Sequence, residues 1–228
     1  MNDRPKKIGV LIESHFDDTE FVVFNEYFAE HGYEVEYLSY LWGQSSLTFD
    51  GNEGRERVTV NRCVTTADPK EYAGVILIGG YAMDRLRYES QPCRGEPNRS
   101  EGVKFLRRCV DSDGLKIGTI CHSLWLFAAA PDLLKGRKVT CAHNIVSDVE
   151  HAGGDIQFGD DGTVDLCIDG DLISAKHPAF SKKFVEVFLS EIVGGSRPSS
   201  REALSPAVAA AVADPMDGSV SSESTALS

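Results

Sequence analysis

The chain has 228 residues, 42% of them hydrophobic, and a formal net charge of −12, enough for one α/β domain of ordinary size with a full core and some surplus. An acidic chain without a basic stripe has nothing to hold nucleic acid or an anionic membrane surface. No apolar run approaches the roughly 20 residues of a membrane span, and the charged start through Arg4, Lys6 and Lys7 enters a strand pattern with no apolar leader core, so the cytoplasm is the expected compartment.

Residues 7–12 (Lys-Ile-Gly-Val-Leu-Ile) form a nearly continuous apolar run, the pattern of a strand buried on both faces. Phe21, Val22, Phe24, Phe28 and Ala29 then recur at helical spacing over 17–31, and Gly32 closes that helix. Residues 33–38 alternate as a strand. Between 40 and 64, Gly43, Gly51, Gly54 and the run Val58-Thr59-Val60 predict a hairpin excursion. Asp68-Pro69 marks a turn or helix start. Residues 74–80 read as a second deeply buried strand ending at Gly79-Gly80. A Pro- and charge-rich stretch at 91–99 predicts an exposed loop, and 100–113 an amphipathic helix ending near Gly114.

Residues 116–120 (Lys-Ile-Gly-Thr-Ile) form a short strand that stops at Cys121, and an apolar helix pattern begins at once after it. A return strand over 135–141 and a short helix over 146–151 follow. Two strands, 163–168 and 172–175, flank the Asp169-Gly170 turn, and 179–193 is a last amphipathic helix. Alternating strands and helices with Val- and Ile-rich strands predict an α/β fold whose mostly parallel sheet is covered on both faces. This domain spans residues 1–193. From 194 to 228 the composition turns to Gly, Ser, Pro and Ala without an apolar period, which predicts a disordered tail.

Ligands of such sheets bind beyond the carboxyl ends of the strands. The loop after Ile12, the Gly79-Gly80 turn and Cys121 all fall there on this reading. A thiol on a strand-to-helix elbow, at the positive end of a helix, is expected to be accessible and to ionise near neutral pH. The structural alternative is a buried core cysteine. The other cysteines, at 63, 93, 109, 141 and 167, form no C-x-x-C pair and have no zinc-ligand spacing, so neither a metal site nor a disulfide framework is expected and they read as small hydrophobes.

Ile120-Cys121-His122 before an apolar helix and then residues 134–140 (Leu-Lys-Gly-Arg-Lys-Val-Thr) are joined by three further markers. These are Phe16-Asp17-Asp18-Thr19-Glu20, Gly79-Gly80, and Asp148 followed by Gly153-Gly154. Over residues 7–192 the chain thereby resembles the DJ-1/PfpI family of the class I glutamine-amidotransferase-like superfamily, which implies a flavodoxin-like sheet sandwiched between helices. The resemblance makes Cys121 the nucleophile and Glu20 the acidic residue beside it. A carboxyl next to a sulfur anion has its pKa raised and can donate a hydrogen bond or shuttle a proton; a glutamate in a first helical turn also serves the macrodipole alone. Asp17 and Asp18 read as caps of the same helix.

By resemblance His122 is the base partner, and the N–H groups of Gly80 and His122 form an oxyanion hole. The third acid comes from a neighbouring subunit after the Gly-Gly turn, a place held here by Asp84. Two readings of Asp84 stand open: it orients His122 across a homodimer interface, or it caps a helix beginning near Arg85. Three departures alter the pocket lining: Ser123 two residues after the cysteine, Ala142 beside His143, and His177 before Pro178. His143 reads as a second acid/base or as a loop histidine bonded to backbone, and Asp17 joins His143 and His177 as pocket candidates.

The family implies a cysteine-dependent enzyme acting on a small electrophile, by glyoxalase, deglycase or isonitrile-hydratase chemistry. A peptidase is the alternative enzyme, and a redox sensor or stress chaperone the alternative outside catalysis. With no P-loop and no dinucleotide fingerprint, no cofactor is expected. The expected partners are a small-molecule substrate and a second copy of the chain.

Overall fold

A computed structural model describes residues 6–194 of the chain; the tail expected from 194 onward lies, beyond Gly194 itself, outside them. In chain order, β1 (Lys7–Leu11) leads to α1 (Asp18–Glu30) and β2 (Glu34–Ser39), then to the antiparallel hairpin β3 (Leu47–Asp50) and β4 (Arg57–Val60) and the short β5 (Arg62–Cys63). β6 (Gly74–Leu77) is followed by α2 (Ala82–Leu86), α3 (Glu101–Val110) and β7 (Lys116–Ile120). After the elbow come α4 (Trp125–Ala128), α5 (Pro131–Leu134), β8 (Lys138–Val139), α6 (Val146–His151) and β9 (Asp155–Ile156). The chain then runs through β10 (Phe158–Gly159), β11 (Gly162–Thr163), β12 (Leu166–Asp169), β13 (Leu172–Ala175) and α7 (Ser181–Gly194).

Seven strands make one sheet in the order β12-β13-β7-β6-β1-β2-β5, parallel throughout except for β12 against β13. The apolar runs of β1, β6 and β7 are buried on both faces because they occupy the middle of this sheet. On one face α1 and α7 pack together through rings that are fully buried: Phe24 lies 6.1 Å from Phe184, and Phe28 lies 6.4 Å from Phe188. Phe105, Leu106 and Phe127 from α3 and α4 are also fully buried.

Register places the site. Leu11 pairs with Leu77 and Leu77 with Thr119, so β1, β6 and β7 end side by side on one edge of the sheet. The segments that leave them, 12–17, 78–81 and 121–124, therefore meet above that edge, and Phe16 bridges directly to Gly80.

Three expectations need correction. The helix expected to begin directly after Cys121 is a series of turns over 121–124 and then only four residues of α4, because Pro131 cannot extend a helix and starts α5 instead. The return strand expected over 135–141 is two residues long and pairs with β9 outside the main sheet. The strand expected over 163–168 is divided: Thr163 belongs to the β10–β11 hairpin, and only from Leu166 does the chain join β13. Among the described residues no helix is long and apolar enough to cross a membrane.

Candidate active site

Cys121 sits in the left-handed region at φ +59, a conformation that non-glycine residues adopt at a cost and that marks a sharp turn between strand and helix. The turn is held on every side. The Cys121 N–H donates to the Ala175 carbonyl at 3.0 Å, and its carbonyl accepts from the Ala142 N–H at 3.1 Å. Ser123, fully buried, accepts from the Ile120 N–H at 2.7 Å through Oγ, while its own N–H returns to the Ile120 carbonyl at 3.0 Å. Serine at this position is therefore a built part of the elbow.

Gly80 has φ +69, and a Cβ there would press into the His15 carbonyl oxygen and stand 2.8 Å from the Asp17 nitrogen. Only glycine lets this loop lie against the one after β1. Gly79 is wedged between two reactive groups: its N–H donates to Glu20 Oε2 at 2.6 Å, and a Cβ would come within 2.6 Å of Glu20 Oε1 and 2.8 Å of Cys121 Cβ. The backbone N–H groups of Gly80 and His122 lie on the sulfur side of the elbow and favour the ionised form of Cys121.

Glu20 is fully buried, and its Oε1 has no hydrogen-bond partner among the described residues. Asp17, the N-cap of α1, positions it by accepting from the Glu20 N–H at 3.0 Å. Burial, reinforced by Asp17, pushes the Glu20 carboxyl well above the ordinary carboxylate range, so it is held neutral. Asp17 is itself raised by burial. Asp18, read above as a second cap, does something else: its buried carboxylate accepts from the N–H groups of Glu53 (2.8 Å), Arg55 (3.0 Å) and Glu56 (2.8 Å), tying the β3–β4 hairpin to the start of α1.

The ease of ionisation expected at Cys121 is opposed by its burial. Cys121 is 8% exposed, and burial pushes its thiol up, against the two backbone donors that favour ionisation. No continuous helix starts at residue 122 to oppose this.

A cleft of about 560 Å³ opens over the sulfur, and Asp17, Gly80, Tyr81, Cys121, His122, His143, Asn144 and His177 all line it. His143 is exposed at its wall. His177 Nδ1 accepts from the Ala179 N–H at 3.1 Å. His122 Nε2 is 2.9 Å from Asn144 Oδ1, and burial holds this imidazole below its ordinary pKa. Its ring lies 5.0 Å from Trp125, whose Nε1–H is bound to Asp148 at 2.8 Å. Asn144 and Trp125 escaped the sequence reading: Asn144 is 22 residues from its partner with no local signal, and Trp125 reads as one more apolar residue of the helix.

Asp84 is placed apart from this group. It lies in the first turn of α2, which begins at Ala82, so it caps no helix near Arg85; it binds Arg87 at 2.5 and 2.9 Å and lines a separate cleft of about 460 Å³. Within one chain it does not orient His122. Among the described residues no group of three or more His, Cys, Asp or Glu side chains is arranged to hold a metal ion.

The chain is similar to known proteins to differing extents. The chain is 33% identical over 150 residues to protein/nucleic acid deglycase 2 of Escherichia coli, covering 66% of this chain and 78% of the relative. It is 28% identical over 173 residues to general stress protein 18 of Bacillus subtilis, covering 76% and 90%. Among solved structures, a two-domain protein of Anabaena variabilis with DJ-1/ThiJ/PfpI-like and ferritin-like domains superposes with a TM-score of 0.70 at 26% identity, over 86% of this chain and 52% of that one, so the chain spans about half of that protein. The family model that matches residues 6–191 agrees with both the elbow and the sheet beneath it, and the chain belongs to the DJ-1/PfpI family.

Proposed function

We propose that this protein is a cofactor-independent cysteine enzyme that converts small α-oxoaldehydes of the methylglyoxal type, or their adducts, to hydroxy acids. The observation that supports it most is the pairing across Gly79: a thiol with two backbone donors on one side, and a fully buried, neutral Glu20 with an unpartnered oxygen on the other. The name of the Escherichia coli relative, a deglycase, points the same way.

In this reading Cys121 sulfur adds to the aldehyde carbon as its proton passes to His122. Glu20 protonates the carbonyl oxygen, and the N–H groups of Gly80 and His122 stabilise the oxygen while it is negative, a contribution of ~3–4 kcal/mol. The hemithioacetal then loses the hydrogen on the former aldehyde carbon as a proton, which returns to the adjacent carbon to give a thioester. Water cleaves the C–S bond, releasing the hydroxy acid and the thiol. One substrate carbon is oxidised and its neighbour reduced, so no external electron acceptor is needed.

The test is lactate production from methylglyoxal, followed by proton NMR. Cys121→Ser is expected to abolish it and Glu20→Gln to reduce it strongly; full activity in the serine variant would reject the mechanism. A protein that turns over no carbonyl, but takes up two oxygens at Cys121 under mild peroxide, would instead favour a redox sensor.

A further inference from the structure

His122 is gripped on three sides. Tyr81 meets its ring edge-on at 5.8 Å and 69°, Trp125 lies at 5.0 Å and 48°, and Asn144 Oδ1 is 2.9 Å from Nε2. Nδ1 is buried with no partner among the described residues. Asn144 belongs to the short 3-10 turn His143–Ile145, which is tied back to the nucleophile itself. The Ala142 N–H donates to the Cys121 carbonyl at 3.1 Å, and the Ile145 N–H donates to the Ala142 carbonyl at 3.1 Å. Peptide, ring, amide and turn thus form a closed circuit around the elbow.

A carbonyl oxygen only accepts, so an imidazole facing Asn144 Oδ1 carries its proton on Nε2 and leaves Nδ1 as a bare lone pair. With the amide turned the other way the proton would sit on Nδ1, buried with nothing to accept it. An orphaned donor is the rarer fault of the two. Charges acting on the ring come from Asp17 at the start of α1 and from His177 after β13. Asp148 and Arg87 act one step further off, through Trp125.

We infer that Asn144 is a positioning residue that locks His122 in the Nε2–H tautomer, leaving Nδ1 as the ring's proton-accepting atom. The proton-transfer role rests on the function proposed above, whereas the tautomer can be read without substrate.

Histidine-selective 15N NMR of the full chain decides it, with the His122 signal assigned by its loss in His122→Gln and folding checked by thermal melts. The wild type is expected to show a single neutral tautomer protonated at Nε2, and Asn144→Ala a mixture of the two. In Asn144→Asp the His122 titration moves up by about one pH unit or more, since a carboxylate there favours imidazolium. The acid limb of the turnover profile follows by the same amount. A wild-type ring protonated at Nδ1 overturns the inference without any variant. So does a folded Asn144→Ala that keeps one tautomer, or a folded Asn144→Asp whose titration stays in place.

Discussion

Glu20→Gln tests the electrostatics of the site through stability alone. In the folded chain the fully buried Glu20 is neutral, whereas in the unfolded chain it releases its proton near its ordinary value of 4.5. Above that pH the native state binds one proton more than the unfolded state, so stability falls as pH rises, until the raised folded value is passed. Each pH unit in this window costs about 1.4 kcal/mol per proton. Glutamine keeps the shape and the acceptor for the Gly79 N–H but has no proton to hold. The variant should therefore match the wild type near pH 4 and gain on it by about 1.4 kcal/mol per unit above about pH 5, until the raised folded value is passed. Urea unfolding of both proteins at intervals across that range gives the difference directly, and other titrating groups cancel in it. Parallel stability curves, or a wild type that gains on the variant as pH rises, would mean that Glu20 is ionised in the native state, and the argument would fail.

Gly80→Ala forces a side chain into the left-handed region and against the backbone of residues 15–17. A loss of more than about 2 kcal/mol is expected by urea unfolding, with turnover falling as the donor to the sulfur is displaced. Asp18→Ala leaves three backbone donors without their carboxylate; a loss of about 3 kcal/mol or more is expected, together with new tryptic cleavage at Arg55 or Arg57, and an unchanged digestion pattern would contradict that anchoring role. Iodoacetamide should label Cys121 slowly at neutral pH and faster only in the alkaline range, because its thiol is raised by burial. Cys63, whose sulfur accepts from Thr65 Oγ1 at 3.1 Å and whose thiol is lowered, should react before Cys121. Peptide mass mapping over time gives the order.

What could be read from the sequence was what short-range pattern determines. β1, β6 and β7 are continuous apolar runs, and their parallel pairing brings Glu20, Gly79-Gly80 and Cys121 to one edge. The helix over 146–151 and the hairpin around Gly51 and Gly54 were equally legible from period and turn residues. The misses are tertiary. Asp17 and Asp18 are chemically identical neighbours, and only the arrival of the β3–β4 loop decides which one caps and which one anchors. A helix dipole would act on Cys121 through the local chain, whereas the burial that opposes it comes from segments distant in sequence. Pro131 did announce the break in the helix after the elbow, but the apolar run from Leu124 to Ala130 masked it.

The most direct test is to trap the covalent intermediate. Wild-type protein mixed with methylglyoxal, quenched in acid within the first turnovers and digested with trypsin, should carry one added substrate mass on the peptide that contains Cys121. The adduct should disappear as lactate accumulates, and it should be missing in Cys121→Ser. Lactate formed with no adduct at that peptide, at a rate the serine variant shares, would contradict the account.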